Sequence, residues 1–265
     1  MHVIGQENTI KHFTGLIDDN KMPRVLIIEG DKGQGKRTIT KYIAEYMDID
    51  VYEPDNLKVD DIRKIVDDSQ SLSRDRLYAL YDADEMTTQA QNAILKFLEE
   101  PQENAYIIIT VQEQNNLLDT IISRATMIRL EQYTHEQLKQ AYDNEKLCLM
   151  FNNPGQIETA IHADNFEDLH GVIKTFVDNA HILSAKNTFK VPKYFEGYDN
   201  MFIIDIMLYE LYEKIRTGGD VQRYFKMIYQ INNRKHLFHN KSINKANLME
   251  MMLMDVRKEA HGGEL

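Results

Sequence analysis

The chain begins with short apolar runs that alternate with longer segments in which apolar residues recur every three or four positions. Short apolar runs predict buried strands, and the wider spacing predicts amphipathic helices. The predicted strands are residues 25–28, 49–52, 77–81, 106–110 and 127–130. Because helical patterns separate them, the sequence predicts an α/β fold with a five-stranded parallel sheet covered by helices on both faces.

Beyond about residue 133 the strand pattern ends and helical patterns dominate. Residues 135–142 and 155–163 predict a small helical region, and three further helical patterns follow Val191 and Pro192. The last three patterns cover residues 202–215, 221–231 and 243–256. We therefore predict three domains, at residues 1–132, 133–190 and 191–265, with a candidate linker near residue 190.

A glycine-rich turn joins the first predicted strand to the helix after it. Its sequence, from residue 30 to residue 38, is Gly-Asp-Lys-Gly-Gln-Gly-Lys-Arg-Thr. In a phosphate-binding P-loop the glycines let backbone N–H groups point at the phosphates, and a lysine reaches the outer phosphates. The candidate nucleotide-binding residues are Gly30, Gly33, Gly35, Lys36 and Thr38.

The metal contacts of an active P-loop site are missing from the pattern. A hydroxyl residue should follow the lysine to bind Mg²⁺, but Arg37 stands there, and Thr38 comes one residue late, about 100° around the helix. At the end of the third strand Tyr81 takes the place of the metal-binding Asp, and Asp82 takes the place of the Glu that polarises water. The sequence therefore predicts no metal ion and a site poorly built to split ATP.

Composition limits the remaining function classes. With a formal net charge of −11, the chain alone should not grip DNA strongly. The single cysteine, Cys148, excludes an internal disulfide and a multi-cysteine zinc site. No apolar run reaches membrane-spanning length, and we find no signal peptide, so we expect a cytoplasmic protein.

Two later stretches carry a family resemblance. Residues 92–101, Asn-Ala-Ile-Leu-Lys-Phe-Leu-Glu-Glu-Pro, and residues 120–125, Thr-Ile-Ile-Ser-Arg-Ala, resemble motifs of clamp-loader subunits in the AAA+ family. Residues 59–63 and 155–160 add to the likeness, which covers about residues 1–165. The resemblance implies an AAA+ P-loop domain, a helical lid domain and a helical collar domain that drives oligomerisation.

The resemblance also implies a role. Clamp loaders are hetero-pentamers that use ATP to open a sliding clamp and close it around primed DNA. With its degenerate P-loop, this chain resembles the non-hydrolysing stator, whose partners are motor ATPase and delta-like subunits. By position in the motif, Ser123 and Arg124 would be the catalytic pair, with Arg124 projecting as an arginine finger into the ATP site of a neighbouring subunit.

Some positions depart from the family pattern. Many relatives insert four cysteines after the P-loop helix, and this chain has none there, so zinc should be absent. Ala125 replaces the cysteine of the motif, and Glu158 stands where active relatives place an arginine on bound ATP. Because Lys36 is retained, weak binding of ATP or ADP is still allowed, although no cofactor is expected to be required.

Two other functions remain open from the sequence. In the first, Thr38 and Asp82 make ATP hydrolysis possible despite Arg37 and Tyr81. The chain is then an active AAA+ ATPase, such as a clamp-loader motor subunit or a helicase loader. In the second, the chain is a separate DNA-binding module. Its basic patch would be Arg234, Lys235, Lys241 and Lys245.

Overall fold

The structure is a computed structural model that describes residues 3–240 and 242–262. Their contacts form two compact units. The first comprises the described residues through Ala141, together with Asn153–Gly155. The second comprises Tyr142–Asn152 and the described residues from Gln156 onward.

The first unit is built on a parallel sheet. Its strands are β1 (Val25–Glu29), β2 (Asp50–Tyr52), β3 (Arg76–Leu80), β4 (Ala105–Val111) and β5 (Thr126–Arg129). They lie in the order β2-β3-β4-β1-β5, and every neighbouring pair is parallel. The predicted five-stranded parallel sheet is confirmed, with each strand within two residues of its predicted bounds.

Side chains of the central strands alternate between two cores. Val25 and Ile27 of β1 belong to one buried cluster, whereas Leu26 and Ile28 belong to another. Successive strand residues point to opposite faces of a sheet, so both faces are buried under helices. This explains why β1 reads as an unbroken apolar run.

Six helices of the first unit precede, connect or follow these strands. They are α1 (Glu7–Asp18), α2 (Lys36–Met47), α3 (Val59–Ser69), α4 (Thr88–Glu99), α5 (Asp119–Ile122) and α6 (His135–Ala141). Helix α4 is capped by the Thr87 hydroxyl, which accepts the N–H of Ala90 at 3.2 Å. It ends before Pro101, which cannot continue a helix.

The remaining described helices lie along the second half of the chain. They are α7 (Glu145–Met150), α8 (Pro154–His162), α9 (Phe166–Asn179), α10 (Ala185–Thr188), α11 (Asn200–Arg216), α12 (Val221–Lys235) and α13 (Lys245–Ala260). Helix α9 is absent from the predicted elements. Its buried residues recur at helical spacing, so it is an amphipathic helix of the second unit.

Aromatic packing joins helices of the second unit across a long span of sequence. The Phe202 ring of α11 stacks on Phe151 at 4.6 Å between centroids and lies edge-on to Phe166 at 6.0 Å. All three side chains are buried. Helices on both sides of residue 190 therefore share one core, and the division of this region into lid and collar domains stays a prediction.

Candidate functional site

The P-loop lies at the carboxyl end of β1, between the ends of β4 and β5. Gly33 and Gly35 have φ values of 85° and 92°. A Cβ on Gly33 would lie 2.5 Å from Asn153 Oδ1 and 2.9 Å from Gly155 Cα. Both the backbone conformation and the close approach of residues 153–155 require glycine at this position.

The loop is filled by one of its own side chains. Gln34 is buried, and its Oε1 accepts the Asp31 N–H at 2.6 Å while its Nε2 donates to the Glu131 carbonyl at 2.8 Å. The Tyr133 hydroxyl donates to the Gln34 carbonyl at 3.2 Å. These bonds hold the loop against the chain that follows β5. The P-loop pattern allows any residue at Gln34, so no sequence signal indicated this contact.

Lys36 points back into the loop. Its Nζ donates to the carbonyls of Gly30 and Asp31 at 2.6 Å and 3.0 Å. Burial lowers the pKa of this ammonium group, while the carboxylates of Asp82, Asp84 and Asp31 raise it and oppose the effect of burial. The lysine therefore lies within the loop, bonded to two of its carbonyls and close to acids of its own chain. Its role in phosphate binding stays a prediction.

The two residues at the predicted metal-contact positions touch each other. The Arg37 guanidinium carbon lies 4.2 Å from the centroid of the Tyr81 ring, a cation–π contact. The Tyr81 hydroxyl donates to Glu53 Oε1 at 3.1 Å, and Lys41 Nζ lies 3.5 Å from the same oxygen. Burial and the nearby Glu53 carboxylate raise the pKa of the Tyr81 phenol, so it stays protonated at neutral pH.

The acidic turn after β3 is held by its neighbours. Asp82 has a φ of 53°, and its N–H donates to Thr110 Oγ1 at 3.0 Å, at the end of β4. Asp84 is buried, and its Oδ1 has no hydrogen-bond partner among the described residues. The Asp82 and Asp84 carboxylates of this turn oppose the effect of burial on the pKa of Lys36. Thr38 lies half-buried in the first turn of α2.

The start of α8 also contacts the P-loop. The Gly155 N–H donates to the Gly33 carbonyl at 3.0 Å, and a Cβ on Gly155 would lie 2.3 Å from Gly33 Cα. Further along this helix, Glu158 lies 3.2 Å from His162 Nε2, and both side chains are exposed. The loop and the first turn of α8 are in direct backbone contact.

Arg124 makes its contacts away from these P-loop residues. Its Nη2 pairs with Glu99 Oε1 at 2.6 Å, and its Nη1 donates to the Thr120 carbonyl at 2.6 Å and to Ser123 Oγ at 3.3 Å. Glu99 is the last residue of α4, and Arg124 follows α5. The sequence motif includes Glu99, but nothing in the pattern indicated that it would contact Arg124.

One buried amide joins α4 to the segment that carries Arg124. Gln91 Oε1 accepts the Leu118 N–H at 2.8 Å, and its Nε2 donates to the Asn116 carbonyl at 3.1 Å. Gln91 lies just before the motif that begins at Asn92, so the motif gave no indication of this contact. The contact fixes the position of α5 relative to α4.

Two of the four residues in the predicted basic patch are paired with acids. Arg234 pairs with Asp255, and Lys235 lies 2.9 Å from Asp205. Lys241 lies outside the described residues, and Lys245 begins α13. The two paired residues do not offer free charge to a nucleic acid.

The described residues contain neither a candidate metal-binding cluster nor a helix that could cross a membrane. Within residues 3–240 and 242–262, no group of three or more His, Cys, Asp or Glu side chains could hold a metal ion. None of the helices described above is long and apolar enough to span a membrane.

Comparison with known proteins relates this chain to subunits of DNA polymerase III. Residues 45–134 match the family model for the DNA polymerase III delta subunit. DNA polymerase III subunit gamma of Buchnera aphidicola subsp. Acyrthosiphon pisum (strain APS) is 24% identical over 233 residues, which is 71% of this chain and 64% of that protein. DNA polymerase III subunit delta' of Bacillus subtilis (strain 168) is 26% identical over 149 residues, 45% of each chain. The matches thus span between about half and two thirds of these relatives.

Solved structures support the same architecture. The Thermotoga maritima RuvB Holliday junction branch migration motor aligns with a TM-score of 0.52 and 16% identity over 79% of this chain and 88% of that chain. This likeness shows the fold alone. The family match and the polymerase III relatives, together with the parallel P-loop sheet, support the assignment of this chain to the clamp-loader proteins related to DNA polymerase III subunits.

Proposed function

We propose that this chain is the non-hydrolysing stator of a sliding-clamp loader in DNA replication, equivalent to the delta-prime subunit of the DNA polymerase III holoenzyme. The delta' subunit of Bacillus subtilis is among its relatives. In this role the chain assembles with motor ATPase and delta-like subunits in a cytoplasmic hetero-pentamer. Its association with the sliding clamp and primed DNA takes place through that complex.

The contact between Arg37 and Tyr81 is the observation that carries the proposal. Both residues occupy positions where an active site would bind Mg²⁺. The Arg37 guanidinium packs on the Tyr81 ring in a cation–π contact. A guanidinium repels a cation, and a protonated phenol is a poor ligand for one. The pair therefore supports a P-loop site that does not bind Mg²⁺. Zinc is not expected, because the chain lacks the four cysteines that many relatives insert.

The first test is ATP hydrolysis by the purified chain. We expect no phosphate release above background, because Arg37 and Tyr81 remove both metal contacts. Lys36→Ala serves as the control, since any activity of this P-loop would disappear in that variant. Steady turnover that Lys36→Ala abolishes would favour the other candidate, an active AAA+ ATPase. That candidate draws support from the gamma subunit among the relatives and from the intact Lys36.

The second test concerns Arg124. In phosphoryl transfer a guanidinium from a neighbouring subunit stabilises charge on the γ-phosphate, with effects of roughly 10³ to 10⁵ in rate in well-studied switches. One of several sites would lose its finger here, so the defect in the whole complex should be smaller. Lysine lacks the planar fork, so Arg124→Lys should be nearly as defective as Arg124→Ala.

The measurement uses the rebuilt complex with each variant. DNA- and clamp-stimulated ATPase and clamp loading are followed together, and a sizing column checks that the variant still assembles. If both variants assemble and work at the wild-type rate, Arg124 is an ordinary surface residue and the trans-acting role is wrong.

A further inference from the structure

Arg124 already has an anionic partner within its own chain. The Glu99 carboxylate binds Nη2 at 2.6 Å, while Nη1 is held by the carbonyl of Thr120 and the hydroxyl of Ser123. Glu99 forms the one ion pair of Arg124 in the part of the chain that the structure describes. Both terminal nitrogens of the guanidinium therefore have acceptors without any contribution from another subunit.

These contacts come from two separate elements. Thr120 and Ser123 lie within and directly after α5, so they move with Arg124. Glu99 ends α4, and α4 is joined to the segment before α5 through Gln91. The position of the carboxylate relative to the guanidinium is thus set by the packing of two helices and not by local chain geometry.

A carboxylate and a phosphate group offer a guanidinium the same chemistry. Each presents anionic oxygens that accept paired N–H donors. Because the Glu99 carboxylate binds Nη2, a phosphate group that makes a forked contact through Nη2 competes with Glu99 for the guanidinium. The side chains of Arg124 and Glu99 remain 31% and 48% exposed, so the pair is partly solvated and weak enough to exchange.

We propose that Glu99 is a positioning residue that holds the Arg124 guanidinium until an anionic phosphate of the neighbouring subunit's nucleotide replaces its carboxylate. This inference rests on the proposed function of Arg124. The exchange makes insertion of the arginine conditional on a filled neighbouring site, because only a phosphate group compensates for the lost ion pair. Glu99 itself does not touch the reacting nucleotide.

The test compares two glutamine variants. Glu99→Gln removes the charge and keeps the size of the side chain. Glu100→Gln makes the same change at the next residue, which is exposed and forms no ion pair among the described residues. Both variants should show the wild-type circular dichroism spectrum, because both side chains are exposed.

The first readout uses the isolated full-length chain. Phenylglyoxal modifies accessible arginine guanidinium groups, and mass spectrometry of digested protein follows Arg124 alone. Glu99→Gln should accelerate modification of Arg124 by about two- to five-fold, the range expected for loss of a partly exposed ion pair. Glu100→Gln should leave the rate unchanged. Equal rates in wild type and Glu99→Gln overturn the inference, whatever Arg124 does in the complex.

The second readout uses the rebuilt complex. Glu99→Gln should lower the KM for ATP at the affected site by about two- to five-fold, with the change appearing in KM and not in kcat. A fall in kcat would mean that Glu99 assists the arginine during the reaction, and it would overturn the holding role. If modification is accelerated but Arg124→Ala has wild-type activity, the ion pair stands, and both the proposed finger and its release by nucleotide are overturned.

Discussion

At the scale of single residues, Arg37 and Tyr81 stand at the two positions where the motif predicts metal contacts, and they contact each other. The side chain of Arg37, directly after the P-loop lysine, remains exposed, and its guanidinium lies over the aromatic face of Tyr81. Tyr81 in turn has its hydroxyl bonded to Glu53. A substitution that places a hydroxyl residue at position 37 would leave the Tyr81 phenol at the other metal position. A substitution that places a carboxylate at position 81 would leave the Arg37 guanidinium beside it.

Asp68 gives a prediction for the dependence of stability on pH. Its Oδ2 accepts the Tyr78 hydroxyl at 2.6 Å and Arg76 Nη1 at 2.8 Å. The hydrogen bond from Tyr78 and the interaction with Arg76 lower the pKa of this carboxyl group, although burial opposes them. A depressed pKa means stabilisation that is present above the ordinary value of about 3.9 and is lost as pH falls through the folded-state pKa.

Asp68→Asn should therefore reduce the free energy of unfolding by about 1 kcal/mol at pH 7 and by less at pH 3. Urea titrations at the two pH values measure the difference. Asp67→Asn is the matched control, because Asp67 is the adjacent exposed acid and has no side-chain partner among the described residues. An equal loss at both pH values would show that the Asp68 charge is not what stabilises this site.

The positions of the P-loop residues could be predicted from sequence, but their contacts could not. The motif spacing locates the glycines, Lys36 and the two positions where metal contacts are expected, since each motif position has one known chemical task. The absence of metal binding stays a prediction. The pairing of Arg37 with Tyr81, and of Arg124 with Glu99, depends on how separate elements pack. No local pattern encodes that packing.

At the scale of elements, Gly33 of the P-loop and Gly155 at the start of α8 are in backbone contact, and this contact requires glycine at both positions. Gly155→Ala would place a methyl group 2.3 Å from Gly33 Cα, so backbone must move. We expect a loss of about 1–3 kcal/mol in stability, typical of overpacking. Urea unfolding followed by circular dichroism measures this change.

Gly171→Ala is the contrasting control. Gly171 lies in the middle of α9, and nothing lies within 4 Å of the added Cβ. Alanine there should stabilise the chain by about 0.5–1 kcal/mol, because it lowers the backbone entropy lost on folding. If Gly155→Ala were as stable as the wild type, the contact between loop and helix would not form in solution.

The elements that could be predicted are those with strong periodicity. Buried strands stand out because both faces of the sheet are covered, which turns β1 into a continuous apolar run. Helix α9 is less apparent because Gly171 lowers its intrinsic helix propensity. Its order comes from packing, since Phe166, Ile173 and Phe176 are buried.

At the scale of the whole molecule, the question is how the predicted collar joins a complex. A truncation before Tyr194 would remove Phe202, against which Phe151 and Phe166 pack. The remaining helices of the second unit would then lose part of their core, and failed assembly could reflect unfolding alone. Surface substitutions test the role of this region without that ambiguity.

Helix α12 carries a suitable surface. Val221, Phe225 and Tyr229 recur every four residues, so they share one face of the helix. They are 46%, 54% and 63% exposed, whereas Met227, Ile228 and Ile231 of the same helix are buried. We name these three exposed residues the α12 stripe. Exposed apolar surface of this kind is typical of contacts with another protein.

We predict that the α12 stripe contributes to assembly with a neighbouring subunit. Phe225→Glu and Tyr229→Glu should each weaken incorporation into the complex by roughly tenfold or more, because buried aromatic anchors carry much of the binding energy at interfaces. Ala246→Glu is the control, since it adds the same charge at an exposed position of a different helix, α13. Circular dichroism should show that all three variants fold, because the substituted side chains are exposed. A sizing column, run over a range of subunit concentrations, measures incorporation. Wild-type assembly by both stripe variants would exclude this face of α12 from the interface and would move the search to other surfaces of the second unit.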